Sequence, residues 1–149
     1  MDMSKLRNGF IAGFVATIVL SVLLVLKNAM GMMPGLDPVA MLAAMMGMPA
    51  IVGWIAHFLI GTVLWGGIYA LYHKSIPGDG HLVKGMVLGI GAWLVMMIIV
   101  MPMGGAGFFG MAFGIMSPVL TLIMHLIFGA ALGLVYQSLA SKSDAAAPA

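Results

Sequence analysis

The chain consists of long uncharged apolar stretches separated by short segments that hold its few charged residues. Residues 9–26 contain no charge and end at Lys27, and residues 50–72 form a second uncharged stretch with tyrosines near its end. A helix of about 20 residues crosses a hydrocarbon core of about 30 Å, and aromatic and basic residues are common at its ends. The pattern therefore predicts a transmembrane helix over each stretch.

A third uncharged stretch, residues 85–141, is too long for one crossing of a bilayer. One proline and three glycines within residues 102–107 disfavour a regular helix in its middle. We therefore expect two further transmembrane helices, over residues 83–101 and 118–139, with a turn between them.

The linker inside each pair of spans is apolar rather than hydrophilic. These linkers cover residues 30–48 and 103–117, and each is long enough for a short helix at the membrane interface. Asp37 and the proline after it are typical of a helix start, because the carboxylate caps free backbone N–H groups and proline fits the first turn. We predict short helices over residues 38–46 and 108–116.

Both halves of the chain carry the same order of glycine, proline and histidine. The matching positions are Gly9 and Gly85, Gly13 and Gly89, Pro49 and Pro118, His57 and His125, and Gly61 and Gly129. Two spans per half give both halves the same orientation, as in parallel repeats related by an axis along the membrane normal. We predict repeats over residues 8–72 and 83–139.

The predicted fold is all-α. It is a polytopic membrane protein with four transmembrane helices, arranged as two parallel two-helix repeats, with short interfacial helices in the outer linkers. The whole chain, residues 1–149, forms one membrane domain, and its small polar tail at residues 141–149 is expected to be disordered.

The composition agrees with a bilayer location. Of the 149 residues 63% are hydrophobic and 7% are charged, which leaves too little polar surface for a soluble domain. The six Lys and Arg residues are too few for nucleic-acid binding. In the four-span arrangement all of them except Lys27 lie on one side. Because cations concentrate on cytoplasmic loops, we predict a bacterial inner membrane protein with both termini in the cytoplasm.

No motif indicates a catalytic site. The sequence lacks a Gly-x-Ser-x-Gly elbow, a His-Glu-x-x-His pair and a phosphate-binding loop, and its four acidic residues form no close pair. It contains no cysteine, which excludes disulfides, thiolate metal ligands and cysteine nucleophiles. We therefore expect no enzymatic activity.

Two histidines inside predicted spans are the main chemical lead. His57 and His125 follow Pro49 and Pro118 by about two helical turns, which places both about 10 to 12 Å from the same face of the membrane. An ionisable side chain in hydrocarbon costs free energy unless it is paired or functional. Each imidazole can hydrogen bond to a helix carbonyl or to a hydroxyl group. Alternatively, the two imidazoles can share a metal, a haem iron or a proton.

Methionine supplies a second kind of donor, although it also serves as a flexible apolar filler. The chain has 17 methionines, and most of them fall at or beyond the outer ends of the spans. Thioether and imidazole ligands together favour copper(I), whereas the propionates of a bis-histidine haem b would find only Lys27 on that side. The expected metal site, with copper favoured over haem b, consists of His57, His125, Met45, Met48, Met101 and Met116.

Two further histidines flank the loop between the repeats. His73 and His81 lie beside Lys74 and Asp79 and near a Pro-Gly pair. These neighbours are typical of an exposed turn. We expect both histidines to be solvated.

Three segments carry a family resemblance, and they lie at Asn8-Gly9 to Gly13, Met48-Pro49 to His57, and Pro118 to His125 and Gly129. Over residues 9–139 the chain resembles a family of small bacterial four-helix membrane proteins, rich in glycine and methionine, whose function is uncharacterised. The resemblance implies the four-helix fold and no chemistry for any residue.

These patterns predict a non-catalytic accessory or binding module of the membrane, with a metal held by the paired histidines and the outer methionines. The alternatives are a small conduit for protons or solutes and a structural subunit of a larger membrane complex. The expected partners are the lipid bilayer and either further copies of the chain, as a homo-oligomer, or the subunits of such a complex. Helix rotation is not set when nearly every face is apolar, so the sequence leaves open whether His57 and His125 face each other.

Overall fold

The computed structural model describes residues 3–145, and the regular structure within them is helical throughout. The elements are α1 (Met3–Ala29), α2 (Pro38–Met45), α3 (Ala50–Tyr72), α4 (Gly80–Met103) and α5 (Met116–Ala145), with a short 3₁₀ helix at Phe108–Phe113. All of these except α2 and the 3₁₀ helix are long and apolar enough to cross a membrane. The predicted all-α fold with four spans is confirmed, and the chain is a membrane protein.

The two ends of the bundle differ. We call the end with α2 and the 3₁₀ helix the linker end, and the end from which α1 starts and at which α5 finishes the terminal end. α3 begins and ends at the predicted residues, while α1 and α5 continue beyond the apolar stretches. Residues 141–145 are therefore helical rather than disordered, and residues 146–149 of the predicted tail lie outside the described residues.

α2 starts where the sequence predicts, because Asp37 caps it. The Asp37 carboxylate accepts hydrogen bonds from the backbone N–H groups of Val39 and Ala40, at 3.1 and 3.0 Å. The helix then packs on α3 at Gly53, where a Cβ would collide with the carbonyl oxygen of Val39. α2 therefore lies directly against the linker end of α3.

The second linker forms a shorter helix than predicted. Its 3₁₀ helix stops before the expected residue 116, because Gly114 adopts a left-handed backbone with a φ of 88° that ends the helix. The aromatic rings of this segment cover a small apolar cluster that contains Leu36, Met97 and Met101.

Glycines bring the long helices together as two antiparallel hairpins. In the first, α1 and α3 meet at Gly9 and Gly66, where a Cβ on either residue would overlap the backbone of the other. In the second, α4 and α5 meet in the same reciprocal way at Gly85 and Gly129. Small residues commonly allow such close approach between membrane helices. α1 also packs along α5 and so joins the two hairpins.

A π-helical turn in α3 compensates for a difference between the two halves. α3 has one residue more than α5 between its histidine and the tyrosine that follows, which are His57 and Tyr69 in α3 and His125 and Tyr136 in α5. The segment Ile60–Trp65 is π-helical and holds the additional residue in a wider turn. Both tyrosines are thereby buried against each other. Duplication of the hairpin itself stays a prediction.

Candidate functional site

A cavity of about 310 Å³ lies between the two hairpins, in the half of the bundle nearest the linker end. Side chains from all four membrane-spanning helices line it. Leu36, Pro38 and Leu42 lie at its linker end, and Trp65 and Phe128 bound it toward the terminal end. Nearly all of its lining is apolar, so the cavity is a hydrophobic space within the membrane-spanning part of the chain.

His57 and His125 both line this cavity. One histidine comes from each hairpin, His57 from α3 and His125 from α5. Hydrophobicity alone does not set this arrangement, because it does not fix the rotation of a helix that is apolar on every side. The structure thus brings together the two histidines of the predicted site.

The imidazole of His125 has a fixed tautomer. Its Nδ1 lies 2.8 Å from the carbonyl oxygen of Thr121. A carbonyl oxygen only accepts hydrogen bonds, so Nδ1 carries the proton and donates it, and the lone pair of the neutral ring is on Nε2. Within residues 3–145 this Nε2 has no hydrogen-bond partner. His125 therefore presents an acceptor to the cavity.

His57 is held by aromatic rings. The rings of Trp54 and Phe58 stand edge-on to it, each at a centroid distance of 5.9 Å. Its Nε2 is buried and has no hydrogen-bond partner within the described part of the chain. Leaving a buried polar atom unpaired costs about 1 to 3 kcal/mol. A ligand, ion or water that pairs with this nitrogen would remove the cost.

Lys27 is the one charged side chain that lines the cavity, among the side chains described at residues 3–142. It is buried, and its ammonium donates hydrogen bonds to the carbonyl oxygens of Met32, Met33 and Leu36 at 3.2, 3.1 and 2.6 Å. An ammonium group has three protons, so these three contacts use all of them. Lys27 thus folds the first linker over the cavity and keeps no proton for an anionic ligand.

The two threonines of the cavity also donate their protons to the backbone. Thr17 Oγ1 donates to the carbonyl oxygen of Gly13, and Thr121 Oγ1 donates to that of Ser117, both at 2.7 Å. Thr121 Oγ1 also accepts a hydrogen bond from the indole N–H of Trp93 at 3.1 Å. The two threonines therefore offer lone pairs rather than protons to the cavity.

The cavity opens sideways between α3 and α4. Ile60 and Leu64 on α3 and Val95 on α4 line it and are also exposed on the outside of the bundle. α3 and α4 belong to different hairpins and approach each other closely at only a few positions. No packed helix interface seals this side, so the cavity is open to molecules dissolved in the lipid.

The four methionines of the predicted metal site do not line the cavity. Met45, Met48 and Met116 are exposed at the linker end, and Met101 is fully buried in the cluster beside the 3₁₀ helix. No group of three or more His, Asp or Glu side chains suited to a metal occurs among the described residues.

Two other methionines, Met96 and Met124, line the cavity together with the histidines. Sequence reasoning missed them, because it gave weight to methionines outside the spans. The sequence offers one signal for a methionine near the site, which is that Met124 directly precedes His125. Met96 begins a second π-helical turn, Met96–Val100, and such a turn shifts the face that a helix presents. The cavity therefore brings two methionines beside the histidines that the predicted metal site does not include.

A cluster of four aromatic rings closes the terminal end of the bundle. Tyr69 and Tyr136 have centroids 5.1 Å apart, and the rings of His73 and His81 lie 5.1 and 5.3 Å from Tyr136. Tyr69 Oη donates to the carbonyl oxygen of His81 at 2.9 Å, and His73 Nδ1 donates to that of Tyr69 at 3.1 Å. The prediction that both loop histidines are solvated is therefore corrected, since they pack against buried tyrosines.

Comparison with known proteins gives a family without a function. The profile described as "Family of unknown function (DUF6789)" matches residues 3–147. No curated protein and no solved structure matches the chain. The family description states no activity, ligand or partner, so the functional argument depends on the geometry of the cavity.

Proposed function

We propose that this chain, which belongs to the DUF6789 family of unknown function, is a non-catalytic membrane protein that binds a small lipid-soluble molecule between its two hairpins. The proposal depends on one observation, which is that His57 and His125 line the same apolar cavity. Each hairpin carries an imidazole nitrogen without a hydrogen-bond partner among the described residues, Nε2 of His57 and Nε2 of His125. Such a nitrogen is costly to keep in the membrane, and a bound molecule supplies the partner.

The size and lining of the cavity support a small apolar ligand. Sites for small molecules have volumes of about 300 to 1,000 Å³ and combine an apolar lining with a few placed polar groups. The volume of about 310 Å³ lies at the lower end of this range. It favours a molecule smaller than haem b, whose four-pyrrole ring would also need a flat slot between the imidazoles.

The position of the opening supports uptake from the bilayer. The cavity faces lipid between α3 and α4, whereas the first linker covers its linker end and Tyr69 and Tyr136 fill the bundle on its other side. This arrangement favours binding over a conduit, because a path across the membrane would have to pass the two buried tyrosines.

We also propose that the terminal end faces the cytoplasm of a bacterial inner membrane. The support is the placement of the cations at that end, and cations are enriched on the cytoplasmic side of membrane proteins. The cavity then lies in the half of the membrane that is remote from the cytoplasm. The residues concerned are Lys5, Arg7, Lys74, Lys84 and Lys142.

Filling the cavity is expected to remove binding. Ala92 is buried and lines the cavity, so an Ala92→Phe side chain would take space that a ligand needs. We expect Ala92→Phe to bind radiolabelled 1-methylnaphthalene at least about tenfold more weakly than the wild type. Binding is measured by equilibrium partition into lipid nanodiscs that contain the protein, with empty nanodiscs subtracted.

Two further variants make the result specific. Ala40→Phe is the matched control, because Ala40 is exposed on α2 and does not line the cavity. Val95→Trp narrows the opening at an exposed position, and we expect weaker binding with little change in folding. Equal binding by the wild type, Ala92→Phe and Val95→Trp would refute a ligand site in the cavity.

A second candidate, copper(I), is favoured by the two methionines of the cavity. Met96 and Met124 add thioethers to the two imidazoles, and this mixture of soft and borderline ligands suits copper(I). The unpartnered Nε2 of His57 fits a metal ligand as well. In this proposal the donors are the two histidines with the cavity methionines.

Copper loading distinguishes the two methionine sets. We expect the purified wild type, reduced and loaded with copper(I), to retain one copper per chain after desalting. The double variant Met96→Leu, Met124→Leu should lose it, and the control Met45→Leu, Met48→Leu should keep it, because those residues are exposed outside the cavity. Retention by the first variant, or no retention by the wild type, in metal analysis would rule out this donor set.

A further inference from the structure

The charges around the cavity point to a neutral ligand. Lys27 is the charged side chain at its wall, and its three protons already bind the carbonyl oxygens of the first linker. An anionic head group would find no free cation in the lining described at residues 3–142, and a cationic one would meet no carboxylate there. A charge in this apolar space would remain unpaired, at high cost.

The hydrogen-bond inventory specifies the polar group of the ligand. The protons of Thr17 Oγ1, Thr121 Oγ1, Trp93 Nε1 and His125 Nδ1 are all donated within the protein. The lone pair on His125 Nε2 remains available, so the ligand has to bring a donor. A ketone, quinone or ether brings acceptors alone and leaves this nitrogen unpaired.

A hydroxyl group also suits the second histidine. No hydrogen bond fixes the tautomer of His57 within the described residues, and its Nε2 is unpartnered. The ring can therefore carry its proton on Nε2 and donate it. A hydroxyl oxygen donates one hydrogen bond and accepts another, so a hydroxyl group suits an imidazole of either tautomer.

We infer that the ligand is a neutral, lipid-soluble alcohol or phenol whose hydroxyl group donates a hydrogen bond to His125 Nε2. This inference rests on the proposed function, since it names the chemical class of the molecule that the cavity holds. The apolar body of the ligand lies among the side chains of the lining, and its hydroxyl lies at the imidazole edge.

Three probes of nearly the same shape test the inference. 1-Naphthol donates a hydrogen bond, 1-methoxynaphthalene only accepts one, and 1-methylnaphthalene does neither. In the nanodisc assay we expect the wild type to bind 1-naphthol about fivefold more tightly than 1-methylnaphthalene, which is the effect of one net hydrogen bond of about 1 kcal/mol. 1-Methoxynaphthalene, which has no proton to donate to His125 Nε2, should bind more weakly than 1-naphthol.

Replacing the acceptor assigns the preference to one residue. His125→Phe replaces the imidazole with an apolar ring, so we expect the variant to lose the preference for 1-naphthol, measured as the ratio of its affinities for 1-naphthol and 1-methylnaphthalene. His73→Phe is the control, because His73 lies in the ring cluster at the terminal end. A preference that persists in His125→Phe would overturn the inference.

The outcomes separate this inference from the proposed function. If the wild type binds all three probes equally, the cavity binds ligands but the hydroxyl class is wrong. If it binds none of them above the empty nanodiscs, the proposed function fails. Because the wild-type comparison of the three probes needs no variant, the inference stays testable even if His125→Phe does not fold.

Discussion

Gly85→Leu is expected to destabilise the α4–α5 hairpin by about 3 kcal/mol or more. A Cβ at Gly85 would overlap the carbonyl oxygen of Gly129 and press on the backbone of Gly133. These are backbone atoms of a packed helix, which cannot move aside as the end of a flexible side chain can. This destabilisation is expected as a lower free energy of unfolding. It is measured by following circular dichroism while SDS is titrated into mixed micelles that contain the protein.

Gly91→Leu is the matched control for this experiment. It makes the same substitution in the same helix, but a Cβ at Gly91 meets no atom within 4 Å. Leucine also favours helix more than glycine does, so we expect Gly91→Leu to leave stability unchanged or slightly raised. Comparable losses in the two variants would mean that the helices do not approach each other at Gly85.

The same hairpin contact positions the cavity. Gly89, one turn after Gly85, packs against the backbone carbonyl of His125. This contact fixes the rotation of α5 relative to α4 at the level of the imidazole, so that His125 lines the cavity rather than facing lipid. Stability and ligand binding are therefore linked. We expect Gly89→Ala to lower both, because its Cβ would overlap the carbonyl oxygen of His125.

Local signals in the sequence were sufficient for the elements of the fold. The ends of α3 follow from its uncharged stretch, and the start of α2 follows from Asp37, whose carboxylate caps the helix. Both depend on residues close in sequence. Gly114 limited the 3₁₀ helix through its φ of 88°, a backbone conformation that a glycine permits but does not require.

The arrangement around the histidines was less predictable, because it depends on helix rotation. Every face of a span is apolar, so no polar stripe shows which methionines point inward. Met96 and Met101 lie near one another in sequence, yet Met96 lines the cavity and Met101 is buried in the neighbouring cluster. The spacing after Pro49 and Pro118 predicts a common depth for His57 and His125, whereas their shared cavity is a property of the packed helices.

The sequence carries one signal for the terminal ring cluster, which is the spacing of Tyr69 and His73. Tyr69 and His73 are four residues apart and therefore lie on the same helix face. In the structure the two rings are stacked, with centroids 5.7 Å apart, as side chains on one helix face can be. A nearby Pro-Gly pair is at the same time typical of an exposed turn, so the sequence alone does not decide between packing and exposure of His73.

Lys27→Met is expected to release the first linker and to destabilise the protein by about 3 kcal/mol. Three carbonyl oxygens bind the Lys27 ammonium, and hydrogen bonds to a charged group contribute about 1.5 to 3 kcal/mol each before the cost of burying the charge. The cation also lies in the last turn of α1, where it interacts favourably with the helix dipole. Methionine fills similar space but donates no hydrogen bond.

Hydrogen exchange locates this effect. In Lys27→Met we expect faster exchange at the linker amides of Met32 and Leu36, with α4 and α5 unchanged. Lys74→Met is the control, since Lys74 is exposed in the loop at the terminal end and exposed charges contribute little. The linker also covers the cavity, so Lys27→Met should bind 1-methylnaphthalene more weakly. Unchanged exchange and stability would show that the ammonium does not hold the linker in place.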